Sequence, residues 1–132
     1  MVPKIVPPYA AVLALCYVML AWRVTALRRR LNIAIGTGGN GDLERRVRVH
    51  ANFTEYVTIT LILLVLMEIR GFGGLYLNVL CLALLAGRLA NAFSLSMPPD
   101  ILSTRITIRA AGVILTFGVL LVASLTLLVD AL

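Results

Sequence analysis

Residues 45–56 read Arg-Arg-Val-Arg-Val-His-Ala-Asn-Phe-Thr-Glu-Tyr and lead into an apolar run that continues through Leu66. Five polar side chains of this stretch recur at helical spacing. At ~100° per residue they fall within roughly 100° of a helix circumference, and they reach about 15 Å along its axis. Ionisable groups carried that far into a bilayer need a protein interior or a wet cavity beside them, so this polar stripe predicts a functional site. The polar stripe consists of Arg45, Arg48, Asn52, Glu55 and Tyr56.

The composition is that of an integral membrane protein. Of the 132 residues, 61% are hydrophobic and 14% are charged, whereas soluble domains are about 45–50% apolar. The net charge of +6 raises the alternative of nucleic-acid binding. The arginines, however, flank apolar spans and do not share a polar surface with aromatic residues, so we expect no nucleic-acid partner.

Four apolar spans follow one another along the chain, and no strand pattern competes with them. We predict helices over residues 5–27, 43–69, 75–95 and 101–129, because each is long enough to cross a bilayer. The short connections make neighbouring helices antiparallel. The predicted fold class is therefore all-α, a four-helix transmembrane bundle in a single domain of residues 1–132.

The predicted helix ends follow from proline, glycine and polar residues. Prolines are tolerated in the first helical turn, which suits Pro7 and Pro8 in the first span. The glycine-rich stretch 36–42 predicts a loop, because glycine disfavours a helix by about 1 kcal/mol per residue. Asp42 is a candidate N-cap for the second helix. A break at Pro98-Pro99 precedes the fourth, for which Asp100 or Ser103 is the candidate cap.

Basic residues are distributed unequally between the two sides of the predicted bundle. Of the twelve lysine and arginine residues, only Lys4 and Arg70 lie on the side of the chain termini. By the positive-inside tendency, we predict that both termini face away from the cytosol and that the polar stripe lies near the cytosolic face. The ten basic residues at the opposite side are Arg23, Arg28, Arg29, Arg30, Arg45, Arg46, Arg48, Arg88, Arg105 and Arg109.

The polar stripe is expected to meet Arg88, Asn91, Arg105 and Arg109 at one membrane level. His50 is the single histidine and points away from the stripe, so we expect it at a surface or lipid interface and predict no metal site. The two cysteines, Cys16 and Cys81, are expected to be packing residues inside spans.

A basic pocket with a carboxylate and an amide suits an anionic, peptide-like ligand. Guanidinium groups bind carboxylates bidentately, a glutamate binds an amine, and an asparagine pairs with amides. Glutathione fits this description. The alternative is that the polar residues simply pair with one another between helices.

The second-span motif resembles a family signature. The pattern R-x-x-R-x-x-x-N-x-x-E-Y, matched here by all five residues of the polar stripe, is similar to that of the MAPEG family, the membrane-associated proteins of eicosanoid and glutathione metabolism. The resemblance implies a homotrimer that binds glutathione between neighbouring subunits near the cytosolic face. It implies that the polar stripe contacts the tripeptide, and we add Arg88 to this set. It also implies that an arginine at the start of the fourth helix, Arg109 or Arg105, stabilises the thiolate.

One departure from the family pattern narrows the expected activity. The eicosanoid-synthesising members carry a tyrosine late in the third helix, where this chain reads Asn-Ala-Phe-Ser-Leu at 91–95. This favours a glutathione transferase or peroxidase that acts on lipophilic electrophiles or hydroperoxides from the bilayer. A non-catalytic lipid- or glutathione-binding protein of the same fold is the alternative. A small four-helix multidrug exporter would carry a carboxylate in its first span. Residues 5–22 contain none, so the sequence disfavours this third class of protein.

Overall fold

Four α-helices form the protein in the computed structural model, which describes residues 2–94 and 102–132, with the side chain of Leu102 excepted. All four are long and apolar enough to cross a membrane, and the described residues contain no strand. The predicted all-α membrane four-helix bundle is confirmed. The helices are α1 (Val6–Leu31), α2 (Gly41–Ile69), α3 (Gly74–Ser94) and α4 (Leu102–Asp130).

The helix ends differ from the sequence-based boundaries where local contacts decide them. Helix α1 continues four residues past its predicted end and stops at Asn32, which has a left-handed φ of 55°. A residue in that conformation ends a helix and forms its own backbone hydrogen bonds to the last turn. Helix α2 begins early because Asn40, not Asp42, is its N-cap, with its Oδ1 accepting from the Leu43 N–H at 2.9 Å. The Asp42 prediction was therefore wrong. Residues 98–100, with the predicted break and the candidate cap Asp100, lie outside the described residues, whereas the other candidate cap, Ser103, lies inside α4, which begins at Leu102.

The core is narrow on the side of α1. Only Val6, Leu13 and Leu20 of that helix are buried. They are seven residues apart, so they lie on one narrow face of α1 that packs against the bundle. Cys81 is fully buried, Cys16 is partly buried, and both are free thiols. The other residues of α1 are exposed or partly buried. Since lipid is as apolar as a leucine side chain, close packing and polar contacts must hold the helices together.

Helices α3 and α4 meet at two glycines. A Cβ on Gly112 would lie 2.6 Å from the Gly87 carbonyl oxygen and 3.1 Å from the Asn91 nitrogen. A side chain at this point would therefore collide with the α3 backbone. Small residues that let helix backbones approach are a common packing device in membranes, and here they bring Asn91 of α3 close to α4.

Glu68 joins α2 to the start of α1 at the other end of the bundle. Its carboxylate is 4% exposed and accepts the backbone N–H groups of Lys4, Ile5 and Val6, the last two at 2.6 and 2.8 Å. Unpaired N–H groups at a helix start need acceptors, and a carboxylate there also complements the helix dipole. Glu68 thereby fixes where α1 begins.

Candidate functional site

A polar cleft of about 560 Å³ opens where α2, α3 and α4 come together. Helix α2 supplies most of its wall, and α3 and α4 supply one polar residue each. Helical spacing explains the α2 contribution, because residues separated by three, four, seven or eleven positions share one face. The charged and amide side chains that line the polar cleft are Glu44, Arg45, Arg48, Asn52, Glu55, Asn91 and Arg109.

The charged groups of the polar cleft are not neutralised by one another. Arg45, Arg48, Glu55 and Arg109 are all exposed, and the ion pairs within residues 2–94 and 102–132 are Arg46–Asp42 and Arg70–Asp130. The alternative in which these residues only pair between helices therefore does not describe these four side chains. They remain available to a ligand that carries both signs of charge.

Arg88 lies behind the polar cleft and not in its wall. Its side chain is 2% exposed, and its Nε donates to Thr116 Oγ1 at 3.1 Å. Nη1 donates to the backbone oxygen and to Oδ1 of Asn52, each at 3.3 Å. Arg88 thus connects α2, α3 and α4, and it occupies the Asn52 carbonyl so that the amide N–H groups are the donors left for a ligand.

Tyr56 is partly buried and faces α4. Its ring packs on Phe117 of α4 with 5.1 Å between ring centroids, and the Arg88 guanidinium carbon lies 5.6 Å from the Tyr56 ring centroid. A cation over an aromatic face is attracted by the ring quadrupole. Of the five stripe residues, Tyr56 alone does not line the polar cleft.

The two candidate arginines of α4 occupy different surroundings. Arg109 is exposed and lines the polar cleft. Arg105 is partly buried, and its Nε donates to the Ser94 carbonyl oxygen at 3.1 Å, which satisfies an end carbonyl of α3. The sequence did not decide which of these two arginines joins the polar stripe. The structure places only Arg109 beside it.

His50 is partly buried and packs against Tyr17 of α1. The two ring centroids lie 4.8 Å apart, and the Nε2 atom of His50 is buried. The expected surface or lipid-interface position of His50 stays a prediction. Within the described part of the chain, no group of three His, Cys, Asp or Glu side chains lies close enough to hold a metal ion.

Glu44 was not among the predicted site residues. It lines the polar cleft. Its spacing to Arg48 and Glu55, four and eleven residues, would have assigned it to the same helix face. The buried carboxylate of Glu68, by contrast, had no local signal, because its partners lie more than sixty residues away in the chain.

Comparison with known proteins gives a family match and a bacterial relative. The family model of the MAPEG family matches residues 6–129. The inner membrane protein YecN of Escherichia coli K12 is 33% identical over 85 residues, which cover 64% of this chain and 65% of the relative. YecN of Escherichia coli O6:H1 gives the same figures. The aligned region thus spans about 65% of the length of these curated relatives.

Proposed function

The chain belongs to the MAPEG family, and from that premise we propose that it is a membrane-embedded glutathione transferase or peroxidase. It is an integral, multi-pass membrane protein with four spanning helices. Family membership supports a role of the glutathione- and eicosanoid-metabolism type. The proposal specifies that role as activation of the glutathione thiol for attack on lipophilic electrophiles or hydroperoxides.

The proposal rests on the charged side chains of the polar cleft, which form no ion pair with one another within the described residues. Glutathione has two carboxylates, one ammonium group and two amides. Arg45, Arg48 and Arg109 offer guanidinium groups to its carboxylates and thiolate, Glu55 offers a carboxylate to its amine, and Asn52 offers amide N–H groups. The cleft volume of 560 Å³ lies inside the range of about 300–1,000 Å³ for small-molecule sites.

Arg109 is the proposed thiolate stabiliser. A free thiol has a pKa of about 8.5 and is mostly protonated at neutral pH, whereas the thiolate is the nucleophile. The positive charge of the Arg109 guanidinium beside the thiol would favour the anion. Arg105 is the weaker candidate, because its Nε is used by the Ser94 carbonyl.

Two reactions of the glutathione thiol are proposed, transfer to an electrophile and reduction of a hydroperoxide. In transfer, the thiolate sulfur forms a bond to an electrophilic carbon, the leaving group departs with its electron pair, and the thiol proton goes to solvent. In peroxide reduction, two glutathione thiols become one disulfide while the hydroperoxide is reduced to an alcohol and water. Neither mode requires a metal.

We further propose that copies of the chain assemble around the polar cleft as a homotrimer. Arg48 and Glu55 are exposed on the protomer surface, and charged groups at membrane depth face protein or water, not lipid. A second subunit would close the open side of the cleft. Native mass spectrometry in mild detergent tests this, and a monomer that turns over substrate would contradict it.

Binding and turnover of glutathione are measured separately to test the function. Calorimetry should detect binding to the wild-type protein, and Arg48→Ala should weaken it by about 1.5–3 kcal/mol, the scale of a hydrogen bond to a charged group. Arg48→Lys should recover part of this, since lysine lacks the planar fork. Arg29→Ala, at an exposed position in the last turn of α1, is the matched control.

Turnover is then followed with 1-chloro-2,4-dinitrobenzene and with a lipid hydroperoxide. Release of chloride or formation of glutathione disulfide supports the enzyme. Binding without either product would favour the non-catalytic binding protein. Unchanged affinity in a folded Arg48→Ala oligomer would instead remove the polar cleft as the glutathione site.

A further inference from the structure

An aromatic pair lies between α2 and α4, next to the polar cleft. The rings of Tyr56 and Phe117 pack with 5.1 Å between centroids and 55° between ring planes. Asn52, which lines the cleft, lies one turn before Tyr56 on the same face of α2. The aromatic pair is therefore one helical turn beyond the cleft, toward the middle of α2 (Gly41–Ile69).

Helix α4 leads from the cleft to the same pair. Arg109 lines the cleft, and Val113 and Phe117 follow it at intervals of four residues, so the three lie along one ridge of α4. The rise from Arg109 to Phe117 is ~12 Å. A thiolate beside the Arg109 guanidinium and a benzene ring against Phe117 can be accommodated together in that length.

Phe117 presents an aromatic surface that the protomer leaves uncovered. It is 47% exposed, although it packs on Tyr56. Tyr56 is held in turn by Arg88, whose guanidinium carbon lies 5.6 Å from the Tyr56 ring centroid and whose Nε donates to Thr116. The Phe117 ring is thus supported by a bonded network and keeps a free surface.

The free surface of Phe117 lies at membrane depth. Phe117 is near the middle of α4 (Leu102–Asp130), which is long and apolar enough to span a bilayer. A lipophilic compound dissolved among the acyl chains can therefore reach this ring without crossing the charged part of the polar cleft. Aromatic compounds gain most from such a contact, because ring pairs contribute beyond the area that they bury.

We propose that Phe117 is a specificity-determining residue that selects aromatic electrophiles over aliphatic ones. The inference rests on the proposed glutathione function. The ring of the electrophile packs on Phe117, and its reactive carbon is directed toward the thiolate at Arg109. An alkyl chain at the same place buries apolar surface but forms no ring pair with Phe117.

The test compares benzyl isothiocyanate with hexyl isothiocyanate, which share one reactive group. In both, the thiolate sulfur bonds to the isothiocyanate carbon, a C=N electron pair moves to nitrogen, and the nitrogen takes a proton from solvent. Phe117→Leu removes the ring and keeps the site apolar. It should raise KM for the benzyl compound about two- to tenfold, the range of a lost ring pair, and KM for the hexyl compound by less. Phe117→Tyr keeps the ring and should restore the preference.

Phe93→Leu is the matched control. Phe93 of α3 is 61% exposed and lines a groove that shares no lining residue with the polar cleft. Its replacement should leave the preference for the benzyl compound unchanged. In the peroxidase mode, cumene hydroperoxide and tert-butyl hydroperoxide form the corresponding pair, since they differ by a phenyl group in place of a methyl group.

Equal changes of KM for the two isothiocyanates in Phe117→Leu would overturn the inference, because a general structural loss acts on both. An unchanged KM for the benzyl compound would do the same. Dissociation of the oligomer by Phe117→Leu, with both activities lost, would assign the ring to a contact between subunits. Failure of the proposed function is distinguishable, because the wild type would then bind no glutathione and turn over neither class of electrophile, and the inference would fall with it.

Discussion

Arg88 donates from Nη1 to both the backbone oxygen and the side-chain oxygen of Asn52, at 3.3 Å each. The contact crosses from α3 to α2 and is partly buried. Asn52 lines the polar cleft while Arg88 does not. The orientation of an amide in the cleft wall is therefore set by an arginine behind it.

Arg88→Met should lower both stability and glutathione affinity. The substitution removes the donor to the oxygen of Asn52 and to the hydroxyl of Thr116, and losing hydrogen bonds from a charged group costs about 1.5–3 kcal/mol. Thermal unfolding and calorimetry measure the two effects. Thr116→Val is the control, because it removes the Nε contact but keeps the contact to Asn52. It should lower stability alone, and a folded Arg88→Met with wild-type affinity would contradict the positioning role.

Gly112→Ala should separate α3 from α4. The added Cβ would meet the Gly87 carbonyl oxygen at 2.6 Å and the Asn91 nitrogen at 3.1 Å, and backbone atoms cannot move aside as a side-chain tip can. We expect overpacking to cost about 1–3 kcal/mol and the distance between Asn91 and Arg109 to change, with weaker glutathione binding. Gly118→Ala on the same helix meets nothing within 4 Å. Gly118→Ala should leave the stability unchanged or raise it by up to about 1 kcal/mol. Equal melting temperatures for Gly112→Ala and Gly118→Ala would contradict the close contact between α3 and α4.

Arg109→Ala should slow turnover at neutral pH and move the rate profile toward alkaline pH. The arginine favours the thiolate and so lowers the pKa of the bound thiol. Its removal raises that pKa, and each unit corresponds to about 1.4 kcal/mol of lost thiolate stabilisation. Glutathione affinity should change little. Rates measured from pH 6 to 9 with Arg105→Ala in parallel decide between the two arginines. A shifted profile in Arg105→Ala alone would exchange their roles, and no shift in either would exclude the arginine mechanism.

Glu68→Gln should destabilise the protein without altering the polar cleft. A carboxylate accepts the three N–H groups at the start of α1, whereas an amide offers one oxygen and presents its own donors to them. We expect a loss of about 1.5–3 kcal/mol, the value of a hydrogen bond to a charged group. Glu44→Gln, at an exposed site in the first turn of α2, should cost at most about 1 kcal/mol. Equal melting temperatures for Glu68→Gln and the wild type would show that the Glu68 carboxylate does not stabilise the protein.

Both termini should react with a membrane-impermeant maleimide from the non-cytosolic side. The prediction follows from ten basic residues on the opposite side against Lys4 and Arg70 on this one. Single cysteines replace Lys4 and Leu132 in a chain with Cys16 and Cys81 changed to alanine. Labelling of intact cells is compared with labelling after permeabilisation. Reaction of both positions only after permeabilisation would move the polar cleft to the other leaflet.

Much of the site could be predicted because it lies on one helix. Arg45, Arg48, Asn52 and Glu55 share a face through helical periodicity alone, and the structure brings all four to the polar cleft. The start of α2 was less predictable, because Asn40 and Asp42 are both good caps. The choice between them depends on a single hydrogen bond, which the Leu43 backbone N–H donates to the side-chain oxygen of Asn40.

The sequence by itself determined the membrane class, the four helices and the polar stripe, since hydropathy and helical spacing are local properties of the chain. Only the tertiary structure decided which side chains from other helices join that stripe. It directed Arg109 to the polar cleft, Arg105 to the end of α3 and Arg88 into the interior. The physical reason is that these positions depend on how far one helix slides and rotates against another. Contacts such as Gly87 with Gly112 set that register, and a periodic pattern within one segment carries no information about it.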